Sequence, residues 1–236
     1  MQLNYWILLL ILAFGMFLSV KSGKLTIAAA LTGGVLALLV FIGSGFTGIA
    51  MMAIFFVLGS AATGWKISIN QSFGLAENNK GKRTARQVIA NAGVAAILGL
   101  LAWLYPQKAS LFQLMTAAGF ASATADTISS ELGNVYGRRF YNILSFKKDG
   151  RGLNGVVSLE GTLFGIAGSA IIAIIYAIGF KWDVNIAYII LAGTAGNIAD
   201  SLLGATLERK HVLRNDAVNF LNTLVAALTA LLLYIF

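Results

Sequence analysis

Two short stretches carry residues that could do chemistry. Gly119–Ile128 reads GFASATADTI and Gly193–Leu202 reads GTAGNIADSL, so the pattern G-x-A-x-x-x-A-D-[ST]-[IL] occurs twice. Each copy ends an apolar run with a carboxylate, Asp126 or Asp200, followed by a hydroxyl, Thr127 or Ser201. A lone carboxylate is costly in lipid, so one placed there by default marks a site. Paired carboxylates suit a hard divalent cation. Mg²⁺ takes one or two of them and keeps water or phosphate oxygens for the rest. Glu131 and Asp216 lie close to the two motifs and raise the acid set to four. That exceeds what one ion needs, so either two ions bind or Glu131 and Asp216 support the two Asp ligands. The plainer alternative is that Asp126 and Asp200 hold helices together through hydroxyl and amide partners.

Bases stand beside these acids. The stretch Lys80-Gly81-Lys82-Arg83-Thr84-Ala85-Arg86 offers four cations, and Arg83, Gln87 and Asn91 follow at i, i+4, i+8, one face of a helix. A second loop supplies Lys147 and Lys148 and runs into Ser158, Glu160 and Thr162. Acids that hold Mg²⁺ beside bases that hold phosphate oxygens suit a metal-bound polyphosphate. Thr127, Ser201 and Ser158 can donate to the same oxygens. No G-x-x-x-x-G-K-[ST] loop is present, so the phosphate site is not a P-loop. Taken alone, the bases read as a topology signal or as a patch on anionic headgroups of membrane lipids.

The elements that must position these residues follow from composition. The 236 residues are 58% hydrophobic and 11% charged, where a soluble domain is about a quarter charged. A single Pro and 26 Gly fit packed membrane helices. Eight apolar spans are expected, at 3–20, 25–42, 46–64, 88–105, 111–131, 156–179, 185–204 and 217–236, all within one integral membrane domain over 1–236. The first lacks a basic lead and a small-residue cleavage site, so it reads as a retained helix. The predicted fold class is an all-α polytopic helix bundle.

Eight spans send the loops alternately to two sides. All of the 17 Lys and Arg except Lys108 and Lys181 then share one side, and all of the nine acids except Asp183 lie on or near it. The positive-inside rule puts that side in the cytoplasm of a cell membrane and both termini outside. Both motifs sit on inward-running spans, which predicts a parallel repeat of a helical hairpin with Asp126 facing Asp200. The net charge of +8 is therefore a matter of topology, not of nucleic-acid binding. Zero Cys excludes thiol chemistry and disulfides, and the single His211 argues against a histidine metal site.

The motif order GKLT (23–26), RTARQVIANAG (83–93), ATADTISSELG (123–133), NGVVSLEGTLFG (154–165), NIADSLLGATLER (197–209) and NDAVNFLNTL (215–224) resembles the integral membrane family that includes plant phytyl-phosphate kinase and transmembrane protein nineteen. The resemblance covers nearly all of the chain after the first span. It implies phosphoryl transfer from CTP to a prenyl monophosphate. Such a transfer needs no general base, because the attacking phosphate is already anionic near neutral pH. A membrane transporter or flippase, with Asp126 and Asp200 as ion ligands, is the alternative.

Overall fold

The computed structural model describes residues 2–65 and 82–236, so Lys66, Glu77 and Lys80 of the first basic loop lie outside the described residues. The described residues form seven α-helices: α1 (Gln2–Lys21), α2 (Ile27–Gly64), α3 (Ala85–Leu104), α4 (Ala109–Tyr136), α5 (Leu159–Gly179), α6 (Asn185–Leu203) and α7 (Asn215–Ile235). A two-stranded antiparallel ribbon, β1 (Tyr141–Asn142) with β2 (Val156–Val157), braces the loop between α4 and α5. Six of the helices are long and apolar enough to cross a membrane. The protein is an all-α membrane helix bundle.

α2 supplies two of the eight expected spans. Gly45 has φ 58° and ψ −151°, which breaks the helix and which L residues rarely adopt. The halves fold back on each other there. Ala37 and Ile49 share one apolar cluster with Leu8, although twelve residues of straight helix would separate them by about 18 Å. At the other end, Gly59 packs against Arg83, whose backbone bridges to Leu25 at the start of the same helix.

α4 is the exception to the hydropathy pattern because it is central. It packs against α2, α3, α5, α6 and α7, and its run from Leu114 to Ala125 is buried throughout. A helix enclosed by protein needs no lipid-facing stripe, so Thr116, Ser122 and Thr124 are carried inside. It also runs five residues past the expected end at 131. Asp126 therefore lies about 15 Å along the helix from its C-terminal end.

α4 and α6 run side by side in the same direction. A Cβ on Gly193 would press on Ala121, and one on Gly196 would overlap Ser122. The residues one turn before each Asp thus meet in register, and only glycine on one side permits it. α5 returns antiparallel along α4, where a Cβ on Gly161 would lie 2.8 Å from the Ser129 carbonyl oxygen. Three of the helices that enter from the basic face have side-chain caps there: Thr26 accepts from Ala29 N–H, Ser158 from Gly161 N–H, and Thr84 forms a capping box with Gln87.

Candidate active site

Parallel packing of the repeated motifs sets Asp126 against Asp200, with the two carboxyl groups close enough to share a hydrogen bond. α7 holds the pair in place. Asn222 Nδ2 donates to Asp200 Oδ1 at 2.8 Å, while Asn222 Oδ1 accepts from Ser122 Oγ at 3.1 Å. Ser129 Oγ donates to Asn197 Oδ1 at 3.1 Å, a second polar link between α4 and α6.

The pair stands in the wall of a cavity of about 350 Å³. Asp126, Asp200, Ser201 and Glu208 supply its polar wall, and Asn154, Val157 and Ser158 from the α4–α5 loop roof it. A second chamber of about 120 Å³ adjoins it. Asp126 belongs to both. The second chamber is otherwise lined by Arg83, Gln87, Asn91, Thr127 and Glu131, among others. The polar stripe of α3 therefore meets the acids of α4.

The remaining sequence candidates are distributed as follows. Arg86 Nη2 pairs with Asp216 Oδ2 at 3.1 Å, and neither residue lines a chamber. Lys82 is half-buried next to Arg83, away from both linings. Lys147 and Lys148 are exposed at the tip of the α4–α5 loop, also away from them. Gln87 Oε1 accepts from Thr84 N–H at 2.8 Å, so its first task is capping. Thr127 Oγ1 donates to the Ala123 carbonyl at 2.9 Å, and Ser158 Oγ caps α5. Asn91 is 8% exposed, and its Oδ1 has no hydrogen-bond partner among the described residues. It offers the second chamber a buried acceptor.

The structure adds residues that the sequence reading passed over. Glu208 lines the main cavity beside Asp200. In a regular α-helix, a residue eight positions on is turned about 80° from the first. Gly204–Glu208 forms a π-helical turn instead, and the extra residue per turn brings position i+8 back to within about 20° of the Asp200 face. Asn215, Asn219 and Asn222 form the other omission. Their i, i+4, i+7 spacing was visible in NDAVNFLNTL. It is the same signal that singled out Arg83, Gln87 and Asn91.

The loop that roofs the cavity is a folded unit. Arg209 Nη2 bonds Asp149 Oδ2 at 2.8 Å and also reaches the Asn154 carbonyl, tying the loop to the segment after α6. Arg151 Nη2 donates to the Gly137 carbonyl at 3.2 Å and lies over the Phe140 ring. The Arg209 guanidinium, and then the Gly150 N–H, hold the Asp149 carboxyl below its ordinary value.

Residues 9–227 match the integral membrane protein family DUF92. The chain belongs to this family. Within DUF92 and its surroundings, the chain is similar to the Arabidopsis thaliana protein named VTE6, chloroplastic, at 33% identity over 196 residues, covering 80% of this chain and 59% of that one. An uncharacterized membrane protein of Synechocystis is 32% identical over 84% of this chain and 78% of its own length. A third relative, an uncharacterized membrane protein of Methanocaldococcus jannaschii, is 34% identical over 64% of this chain and 63% of its own. The DUF92 chain described here thus spans about three fifths of the length of the first and third of these relatives. No solved structure matches it.

Proposed function

We propose that this chain is a membrane-embedded phosphotransferase that moves the terminal phosphate of a nucleoside triphosphate, CTP by preference, to an isoprenoid monophosphate to give the diphosphate. The observation that carries the reading is the Asp126–Asp200 pair, set between a roofed cavity and a smaller chamber that contains Arg83. The motif resemblance to the family with plant phytyl-phosphate kinase supplies the substrate class.

An oxygen of the acceptor monophosphate forms a bond to the terminal phosphorus of the nucleotide, the bond to the bridging oxygen breaks, and the nucleoside diphosphate leaves. A phosphate monoester has a second pKa of about 6, so its attacking oxygen carries no proton to remove near neutrality. The transfer thus needs no general base. What the transfer asks of the protein is in-line positioning and charge neutralisation. Arg83 meets the acceptor phosphate in the small chamber. The nucleotide phosphates occupy the roofed cavity, where Ser201 and the loop backbone can donate to them.

Two facing carboxylates repel each other unless they share a proton or a cation lies between them. Asp126 and Asp200 offer Mg²⁺ the one or two carboxylates it takes, and the buried Asn91 Oδ1 is a neutral oxygen acceptor in the smaller chamber beside Asp126. Among the described residues no group of three acidic or histidine side chains is placed to hold an ion, so the reading requires phosphate oxygens to complete the coordination. Asp126 and Asp200 would hold it, and when bound it neutralises charge on the transferring phosphoryl group.

The test is incubation of purified protein with radiolabelled CTP, Mg²⁺ and a panel of prenyl monophosphates. Labelled prenyl diphosphate supports the reading, and no transfer from any nucleoside triphosphate sinks it. The parallel packing of the two repeated Asp-bearing helices supports a transporter, with Asp126 and Asp200 as ion ligands, as the second reading. A CTP-induced thermal shift that requires Mg²⁺ decides against the transporter.

A further inference from the structure

An apolar groove of about 180 Å³ lies between α1, both halves of α2 and α3. We propose that it holds the hydrocarbon tail of the lipid monophosphate acceptor, and that Arg83 fixes the phosphate at its mouth. The proposal rests on the transferase reading and adds a place for the acceptor's tail.

The groove has the layout of the amphiphile. Its walls are apolar along α1 and α2, and polarity collects at one end, at Arg83 and Gln87. Those two residues also line the small chamber with Asp126. The apolar space therefore continues into the polar space, and the cation stands at the seam. The Arg83 guanidinium lies over the rings of Phe55 at 5.1 Å and Phe56 at 6.0 Å, and both rings are groove walls. Gly59 leaves it that position, because a Cβ there would overlap the guanidinium.

Glycines create the room. A Cβ on Gly15 would meet nothing within 4 Å, and one on Gly33 would only touch Val88 at 3.8 Å. From Arg83 to Ala92, the deepest α3 residue of the groove, the helix advances about 13 Å. That is less than half of a hydrocarbon core about 30 Å thick. The groove is thus a pocket of limited depth, which takes the part of the tail nearest the phosphate.

Two experiments test the assignment. In the first, wild-type protein in detergent is photolabelled with a farnesyl monophosphate analogue that carries a diazirine at the tail end, and the labelled peptides are mapped. The expected label falls on α1 and α2 near Ile11, Ala37 and Ile49, away from the Arg83 end of the groove, and is displaced by geranylgeranyl monophosphate. Labelling confined to the outer faces of α5–α7, or equal displacement by phosphatidylglycerol, overturns the assignment; the second result would make the groove a seat for bulk lipid. In the second experiment, Gly15→Leu and Gly33→Leu are expected to lower the ratio of kcat/KM for geranylgeranyl over dimethylallyl monophosphate at least tenfold. Leu10→Phe adds comparable bulk on the exposed side of α1 and should keep the wild-type ratio. Folded Gly variants with an unchanged ratio overturn the tail placement and leave the transferase reading standing. Wild-type protein that is labelled in the groove yet transfers no phosphate overturns the transferase reading and leaves the groove assignment standing.

Discussion

Asn222 of α7 donates to Asp200 of α6 at 2.8 Å, and through its carbonyl oxygen it also holds Ser122 of α4. One neutral amide therefore spans the two repeated motifs. Asn222 is fully buried, so Asn222→Ala leaves the buried Ser122 and the half-buried Asp200 without that partner, at a cost of roughly 1–3 kcal/mol. The expected result is a lower unfolding temperature in detergent together with a larger fall in turnover. Wild-type values for both would show that the amide positions nothing.

Asp126→Asn and Asp200→Asn keep shape and hydrogen bonding while removing a charge. Each is expected to drop phosphoryl transfer below about a tenth of wild type, a barrier change above ~1.4 kcal/mol, with the helices still packed. Turnover above that level in both variants, measured with labelled CTP, would reduce the two Asp residues to helix contacts.

Glu208 and Asp216 separate by position. Glu208 lines the main cavity, whereas Asp216 is engaged with Arg86 at the surface. Glu208→Gln should lower turnover at least tenfold and Asp216→Asn less than threefold. A double-mutant cycle on Arg86 and Asp216 should give a coupling under about 1 kcal/mol, as for other exposed pairs. The reverse order of turnover effects would place the second acid on the other side of the site.

The roof over the cavity should loosen with acid. Asp149 is held below its ordinary carboxylate value, first by Arg209, so the folded loop binds protons less readily than the unfolded chain. Its contribution is complete above the unfolded value near 3.8 and is lost as the pH falls through the lower folded value. Hydrogen exchange in residues 140–157 should therefore accelerate only below about pH 4. Arg209→Ala should show the faster exchange already at neutral pH. Protection in Arg209→Ala equal to wild type would mean that the ion pair does not hold the roof.

Much of the bundle was legible because lipid enforces a single pattern: apolar stretches of fixed minimal length, with bases gathered on one side. The reversal within α2 was readable as two spans with Gly45 between them. The pairing of Asp126 with Asp200 was readable as well, since a repeated motif in parallel helices must place like residues together. Glu208 was not, because a π turn leaves no mark in residue spacing and changes which residues share a face. The folded loop between α4 and α5 escaped for a different reason. Its order comes from pairings such as Arg209 with Asp149, sixty positions apart, which no local pattern encodes.

The turn at Gly45 governs more than the path of α2. Straightened, residues 27–64 would form a rod about 57 Å long, nearly twice the thickness of the hydrocarbon core, with no side of the bilayer on which both ends could emerge together. The reversal makes the number of crossings before α3 odd, and every later helix inherits its direction from that parity. A single backbone conformation at one glycine thus decides which leaflet receives Asp126, Asp200 and the roof above them. The bases clustered on that face reinforce the same outcome, so handedness of insertion is written twice, once as geometry and once as charge.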